Sequence, residues 1–385
     1  MLTVADPAYG AAPTNLAGFT SVTAAPYDAF LLVSFGGPET PADVLPFLEN
    51  VTRGRDIPQA RLEEVAEHYY AFGGRSPIND QNRALIAALE AELATAGIDV
   101  PVYWGNRNWD PYLADVLARM RSDGITRAAA FITSAYSSYS GCRQYREDLA
   151  AAVSAVGPGA PRIDRIRHYF DHPGFVAANA DNVLAALTRL PGAAAAEASL
   201  VYVTHSIPTA MAQTSGPQGG AYVAQHEAVA AAVTSEVADR TAVRYEYDLV
   251  YCSRSGAPHV PWLEPDVNDH LEHLATRGTR AVVLAPIGFV SDHMEVAFDL
   301  DTEAMETAAE HGLVAARAAT AGTHPDFVAA ICDLFAERAA VERGEQPVRA
   351  SIGPPGPSHD VCPAGCCPNP RGPRPALCGS DSLAG

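Results

Sequence analysis

No stretch of the 385-residue chain is uniformly apolar over the length needed to cross a bilayer, because charges, Gly and Pro interrupt even the longest apolar runs. Met1 to Ala25 lacks a basic region followed by an apolar core, so residues 1–26 are expected to be a disordered leader and not a signal peptide. A cytoplasmic location is the matching expectation. Positive charge is scarce as well: 26 Lys and Arg against 45 Asp and Glu leave a formal net charge of -19. Binding to nucleic acid phosphates or anionic lipid needs clustered cations, so both partner classes are excluded, and any anionic substrate must meet local positive charge. A Walker lysine and a full dinucleotide fingerprint are absent, which sets nucleotide binding aside. The Gly-x-Ser-x-Gly elbow of a Ser-His hydrolase is also absent. Seven Cys, an odd number with four in the final segment, do not make a secreted disulfide framework, and metal ligation is their better use.

What is present is the composition of a globular protein, 48% hydrophobic and long enough for two lobes. Short β-type runs begin at Phe30, Val100, Ala128, Leu200, Tyr247 and Ala281, several of them continuously apolar like parallel strands covered on both faces. Between them, segments such as Asn82 to Ala96 and Pro111 to Ser122 return apolar residues at helical spacing. Alternation of strand and helix predicts an α/β fold with parallel sheets in two doubly wound lobes, 27–137 and 138–322. A terminal helix is expected at 323–343, packing on the body. From Gly344 to 385 Gly, Pro and Cys dominate, which marks an extension.

Ligands of such sheets bind beyond the carboxyl ends of the strands, so the polar residues there carry the functional reading. Phe35-Gly36-Gly37 follows the first strand, where the glycines permit a tight turn and close backbone approach. Tyr69 and Tyr70 precede Gly73-Gly74-Arg75-Ser76, with Arg53 and Arg55 upstream; flat aromatics beside guanidinium suit a planar ligand bearing carboxylates. Taken alone, Ser76 reads better as a helix cap than as a ligand contact, and the same structural reading applies to Arg107. Thr133 to Tyr145 is a polar, aromatic run that reads as a binding loop. The strand Leu200 to Thr204 delivers His205, whose neutral ring accepts a proton or binds a metal near neutral pH. If a helix begins near 292, then Asp292, Glu295, Asp299 and Glu303 share one face and invite a cation. Alternatively, Asp292 caps that helix with Glu295 as its capping-box partner.

Five ordered segments then resemble the ferrochelatase family: Leu-Val-Ser-Phe-Gly-Gly-Pro at 32 to 38, Gly-Gly-Arg-Ser-Pro-Ile-Asn at 73 to 79, Thr-His-Ser-Ile-Pro at 204 to 208, Pro-Trp-Leu-Glu-Pro-Asp-Val at 261 to 267 and Pro-Ile-Gly-Phe-Val-Ser-Asp-His-Met-Glu-Val at 286 to 296. The likeness runs from about Phe30 to Ala340. It implies Rossmann-like lobes around a porphyrin cleft and insertion of ferrous iron, as substrate, into a porphyrin. Coproporphyrin III is expected from likeness to soluble, cluster-bearing bacterial forms, with protoporphyrin as the runner-up. The resemblance implies that His205 and Glu295 face each other as the catalytic and metal-site pair. Ser76 and Tyr145 are implied to contact the porphyrin, with Arg53 and Tyr69 lining the same wall. Phe35 stands where many relatives have Tyr, so a phenolate ligand is unavailable and the ring can only pack on the macrocycle. His68 stands where some relatives carry Arg. A monomer is expected.

Some members of this family hold a [2Fe-2S] cluster with one internal Cys and three near the C-terminus. The resemblance implies Cys142, Cys362, Cys366 and Cys367 as ligands, with Cys378 as the substitute. Zinc competes, although paired Cys-x-x-Cys knuckles are lacking. Cys252 and Cys332 read as buried structural thiols. Competing functions are cobalt or nickel chelation, expected to need a second His where His293 is expected on another helix face, and a non-enzymatic haem carrier or iron-sulfur sensor.

Overall fold

The computed structural model describes residues 23–54, 57–255, 259–353 and 356–378; most of the expected leader, and Arg55, lie outside the described residues. Its frame is two four-stranded parallel sheets. The first, in the order β2-β1-β3-β4, uses β1 (Ala29–Ser34), β2 (Val102–Asn106), β3 (Arg127–Ile132) and β4 (Arg162–Arg165). The second, in the order β6-β5-β7-β8, uses β5 (Ser199–His205), β6 (Tyr247–Cys252), β7 (Ala281–Ala285) and β8 (Val314–Arg317). Central strands β1 and β7 are buried along their whole length, which is why they read as unbroken apolar runs. Edge strands β4 and β8, Arg-Ile-Asp-Arg and Val-Ala-Ala-Arg, carry the charge of an open edge and have no such signature.

Helices α1 (Val44–Val51), α2 (Gln59–Ala71), α3 (Ile78–Thr95), α4 (Leu113–Ser122) and α5 (Gln144–Val156) belong with the first sheet. With the second go α6 (Pro173–Leu187), α7 (Gly192–Ala196), α8 (Thr209–Gln213), α9 (Ala221–Thr241), α10 (Val267–Thr276), α11 (Met294–Phe298) and α12 (Met305–Glu310). Because β4 pairs with β3, the first lobe runs past residue 137 to Arg165, a correction to the expected boundary. The polar loop after β3 has the composition of a lobe end, yet it returns to the same sheet through α5. Helix α13 (Pro325–Glu342) inserts between the lobes: Phe335 lies 5.5 Å from Phe30 of β1, and Phe327 lies 5.6 Å from Phe175 of α6. The extension from 344 has no helix or strand among its described residues and is tied to the body by backbone bonds, Ile352 N–H to Asp171 (2.8 Å) and Leu377 N–H to Arg146 (3.0 Å).

Glycines set the closest contacts between chain segments. A Cβ on Gly37 would stand 2.7 Å from Ser76 Cβ, so the turn after β1 can lie against the segment entering α3 only without a side chain. Gly288, after β7, lies against Thr204 of β5, where a Cβ would come within 2.7 Å of the Thr204 Cα. Gly288→Ala is therefore expected to cost about 1–3 kcal/mol by overpacking. Gly192→Ala, with nothing within 4 Å of the added methyl, is expected to leave stability unchanged or raise it. Urea unfolding of the two variants checks the contrast.

Candidate active site

His205 closes β5, in register with Cys252 of β6, so its ring projects from the carboxyl edge of the second sheet. Its Nδ1 is hydrogen-bonded to the Ser206 carbonyl, which can only accept, so Nδ1 carries a proton and, in the neutral ring, Nε2 presents a lone pair. The backbone behind it is fixed by a buried network. Tyr222 Oη donates to the His205 carbonyl at 2.7 Å, and Thr204 Oγ1 lies 2.8 Å from His226 Nε2. Burial holds the His226 ring neutral, with its pKa down at about 3, and its Nδ1–H donates to the Tyr222 carbonyl at 2.7 Å. His205 Nε2 stands 3.5 Å from Glu295 Oε2, with 31% and 49% of the two side chains exposed.

Glu295 lies in the first turn of α11, whose cap is His293: its ring Nδ1 accepts the Glu295 N–H at 3.2 Å. Two expectations change here. Asp292 is neither the cap nor part of the acidic face, because it turns to Arg317 at 3.0 Å. His293 does not point away, since its Nδ1 is 3.8 Å from Glu295 Oε2. After α11 the chain widens into a π-turn, Asp299–Ala304, so the carboxylates that remain together are Glu295, Asp299 and Glu303. Ser253 Oγ donates to Asp299.

The electrostatics divide these groups. Burial opposes protonation of His205, yet the Glu295 carboxylate holds the imidazole above its ordinary value. Burial likewise raises Glu295, but His205 outweighs it and brings the carboxyl down to about 2. Asp299 goes the other way: burial and the charges of Glu295 and Glu303 push it up to about 7, against the Ser253 hydrogen bond. The row thus holds one firmly ionised carboxylate and one that exchanges its proton near neutrality.

Opposite this edge the first lobe presents an aromatic wall. Phe47 of α1 touches Phe35 at 6.3 Å, Tyr69 at 6.0 Å and Trp109 at 6.0 Å between ring centres. Arg107 lies over Tyr145 (4.5 Å) and Phe35 (5.7 Å), while its Nε is held by Asp148 at 2.7 Å. Tyr69 faces Glu295, whose charge, after burial, pushes the phenol upward. His68 stacks on Phe298 of α11 at 3.8 Å, joining the lobes beside the site. Ser76 is buried beneath Gly37 and just precedes Pro77, the residue that caps α3. Arg53 is exposed past α1. Phe47 and Trp109 escaped the sequence reading because an aromatic in an amphipathic helix or turn looks like ordinary core.

A second group of side chains lies apart from this edge. Cys142, in the π-turn Tyr139–Arg143, meets Cys362, Cys366 and Cys367 of the extension in one buried cluster. The Gly216 N–H donates to Cys367 Sγ at 3.0 Å, and Arg165 Nη2 lies 3.6 Å from Cys362 Sγ. His359, which the sequence reading missed, has a ring nitrogen within 4.8 Å of the Cys362 and Cys366 sulfurs. Cys378 is elsewhere, its sulfur bonded to the Arg165 N–H at 3.0 Å and the Ile163 carbonyl at 3.2 Å. Cys252 and Cys332 are buried in separate apolar clusters.

The Ferrochelatase family model matches residues 27–339. The coproporphyrin III ferrochelatase of Streptomyces griseus subsp. griseus is 60% identical, over 93% of this chain and 97% of its own length. That of Frankia alni is 55% identical over 89% and 87%, and a ferrochelatase of Rhodopirellula baltica is 52% identical over 89% and 93%. Among solved structures, SirB from Bacillus subtilis with Fe3+ aligns with a TM-score of 0.48 at 14% identity, over 83% of this chain and 99% of its own. With a family model spanning nearly all of both lobes and relatives matched over almost their full length, the chain belongs to the ferrochelatase family.

Proposed function

We propose that the chain inserts ferrous iron into coproporphyrin III in the route to haem, with His205 and Glu295 handling metal and proton. The observation that carries this is the His205 Nε2 atom standing 3.5 Å from Glu295 Oε2, with Tyr69 of the first lobe close enough to feel the Glu295 charge. The porphyrin is taken from the names of the relatives. Metal insertion releases both pyrrole N–H protons as iron bonds to all four ring nitrogens. Neutral His205 can accept such a proton or ligate iron, but not both at once. Glu295, Asp299 and Glu303 make an anionic approach for the cation, and Asp299, titrating at about 7, can carry a proton away. The macrocycle would pack on Phe35 and Tyr145, with Tyr69 and Ser76 along the same side and the exposed Arg53 free to meet a propionate.

The four gathered thiols suit a [2Fe-2S] cluster, since four thiolates complete one and N–H donors already reach two of the sulfurs. When bound, it would supply a one-electron redox centre and a cross-link between extension and lobes. Insertion of ferrous iron is not itself a redox step. Among the described residues no helix is long and apolar enough to cross a membrane.

Four outcomes test this reading. His205→Ala and Glu295→Gln are each expected to lower insertion by about 10²–10⁴-fold while porphyrin affinity, read by fluorescence, is retained. The wild-type chain should turn over coproporphyrin III faster than protoporphyrin IX, and the reverse would overturn the substrate. Raising pH from 6 to 8 removes the proton from Asp299 at about 7, while His205, held above its ordinary value by Glu295, gives up its proton later than a free imidazole does. Ionised Asp299 and neutral His205 both favour the metal, so kcat/KM for iron should rise as Asp299 ionises around pH 7 and rise less in Asp299→Asn. Cys362→Ser is expected to abolish iron-sulfur absorption and Cys378→Ser to preserve it; equal loss in both would remove the four-thiol assignment.

A further inference from the structure

Glu295 stands in a stretch that cannot hold its own shape. Helix α11 has five residues, the π-turn after it six and α12 six more. Helical pieces this short are marginal in water, and π-turns need support from outside. One guanidinium brackets the stretch. Arg317, the last residue of β8, reaches Asp292 with Nη1 at 3.0 Å and Nη2 at 3.3 Å, and Asp301 with Nε at 2.7 Å and Nη2 at 2.8 Å. It therefore holds the carboxylate three residues before Glu295 and the one six residues after it.

The bracket is anchored at both ends. Arg317 pairs in register with Leu284 of the fully buried β7, and its carbonyl accepts from Arg189. The Asp292 N–H donates to Gln81 Oε1 at 2.7 Å, which ties the same residue to α3 of the first lobe. The pairing also sorts charge. Of the five carboxylates between 292 and 303, Arg317 takes Asp292 and Asp301, leaving Glu295, Asp299 and Glu303 toward the metal path.

We propose that Arg317 is a positioning residue that sets where the Glu295 carboxylate stands relative to His205. The inference rests on the reading of Glu295 as the metal-site carboxylate. It also requires Arg specifically: a planar fork can satisfy two carboxylates at once, whereas an ammonium is a point charge. All 26 basic residues of this chain are arginine. Beside Arg317 lies a cavity of about 530 Å³ lined by Arg189, Met305 and Ala315, so a shorter or uncharged side chain can be accommodated and wetted without a clash.

The test compares full-length Arg317→Met and Arg317→Lys with wild type for thermal midpoint, porphyrin affinity by fluorescence quenching, and kcat and metal KM with ferrous iron. Displacing a catalytic group by about 1 Å costs up to about a hundredfold, so Arg317→Met is expected to lose at least about tenfold in kcat/KM for iron, with porphyrin affinity kept. Arg317→Lys should recover only part of the loss. The proposal falls if both variants keep wild-type metal KM and kcat. It also falls if metal KM, porphyrin affinity and thermal midpoint decline together with no difference between Met and Lys, the mark of general support. Glu295→Gln run alongside separates the two readings: retention of insertion there would remove the role of Glu295, whatever the Arg317 variants do.

Discussion

The contact on which the site depends is backbone against side chain: Gly288 lying on Thr204. Thr204 precedes His205, and Gly288 opens the loop that leads to Glu295, so the missing Cβ lets the ends of β5 and β7 approach closely enough for imidazole and carboxylate to meet. Neighbouring parallel strands bring their carboxyl ends to one edge of the sheet, but not side chains from their loops to 3.5 Å of each other. The first lobe repeats the device, with Gly37 against Ser76 bringing the turn after β1 onto the entrance of α3.

The site then works by contrast between similar groups. Glu295 and Asp299 are four residues apart and both sit in the same cleft-facing stretch, yet one is driven to about 2 and the other to about 7. The difference is the partner: an imidazole beside Glu295, two like charges around Asp299. A strong acid and a neutral-range acid in one row give a cation a fixed attraction and a proton a place to wait.

Much of this is legible in the residues. The continuous apolar runs of the central strands and the His205 strand end can be read because burial on both faces leaves no alternative composition. Strands β4 and β8 cannot, since edges tolerate arginine and aspartate, and that blindness moves the lobe boundary from residue 137 to beyond Arg165. The acidic face from 292 to 303 is only partly readable: uniform helical spacing includes Asp292, whereas the real helix starts at Met294 and breaks into a π-turn at Asp299. Spacing also conceals Arg317, because its two carboxylates come from the loop and the π-turn that follow β7. Cys142 and the extension's thiols are found by pattern, but His359, Gly216 and Arg165 come to them only through the fold.

The thiol cluster has one further property, which concerns time. Cys142 is made early, in the turn that leads into α5, while Cys362, Cys366 and Cys367 follow α13, the helix packed between the lobes. At a chain growth of about 5–20 residues per second, the roughly 220 residues between Cys142 and Cys362 separate the making of the first thiol from the second by some tens of seconds or less. The thiol site therefore joins segments from either side of α13, and it is complete only once the chain has been made as far as Cys367 and folded back onto the turn at Cys142.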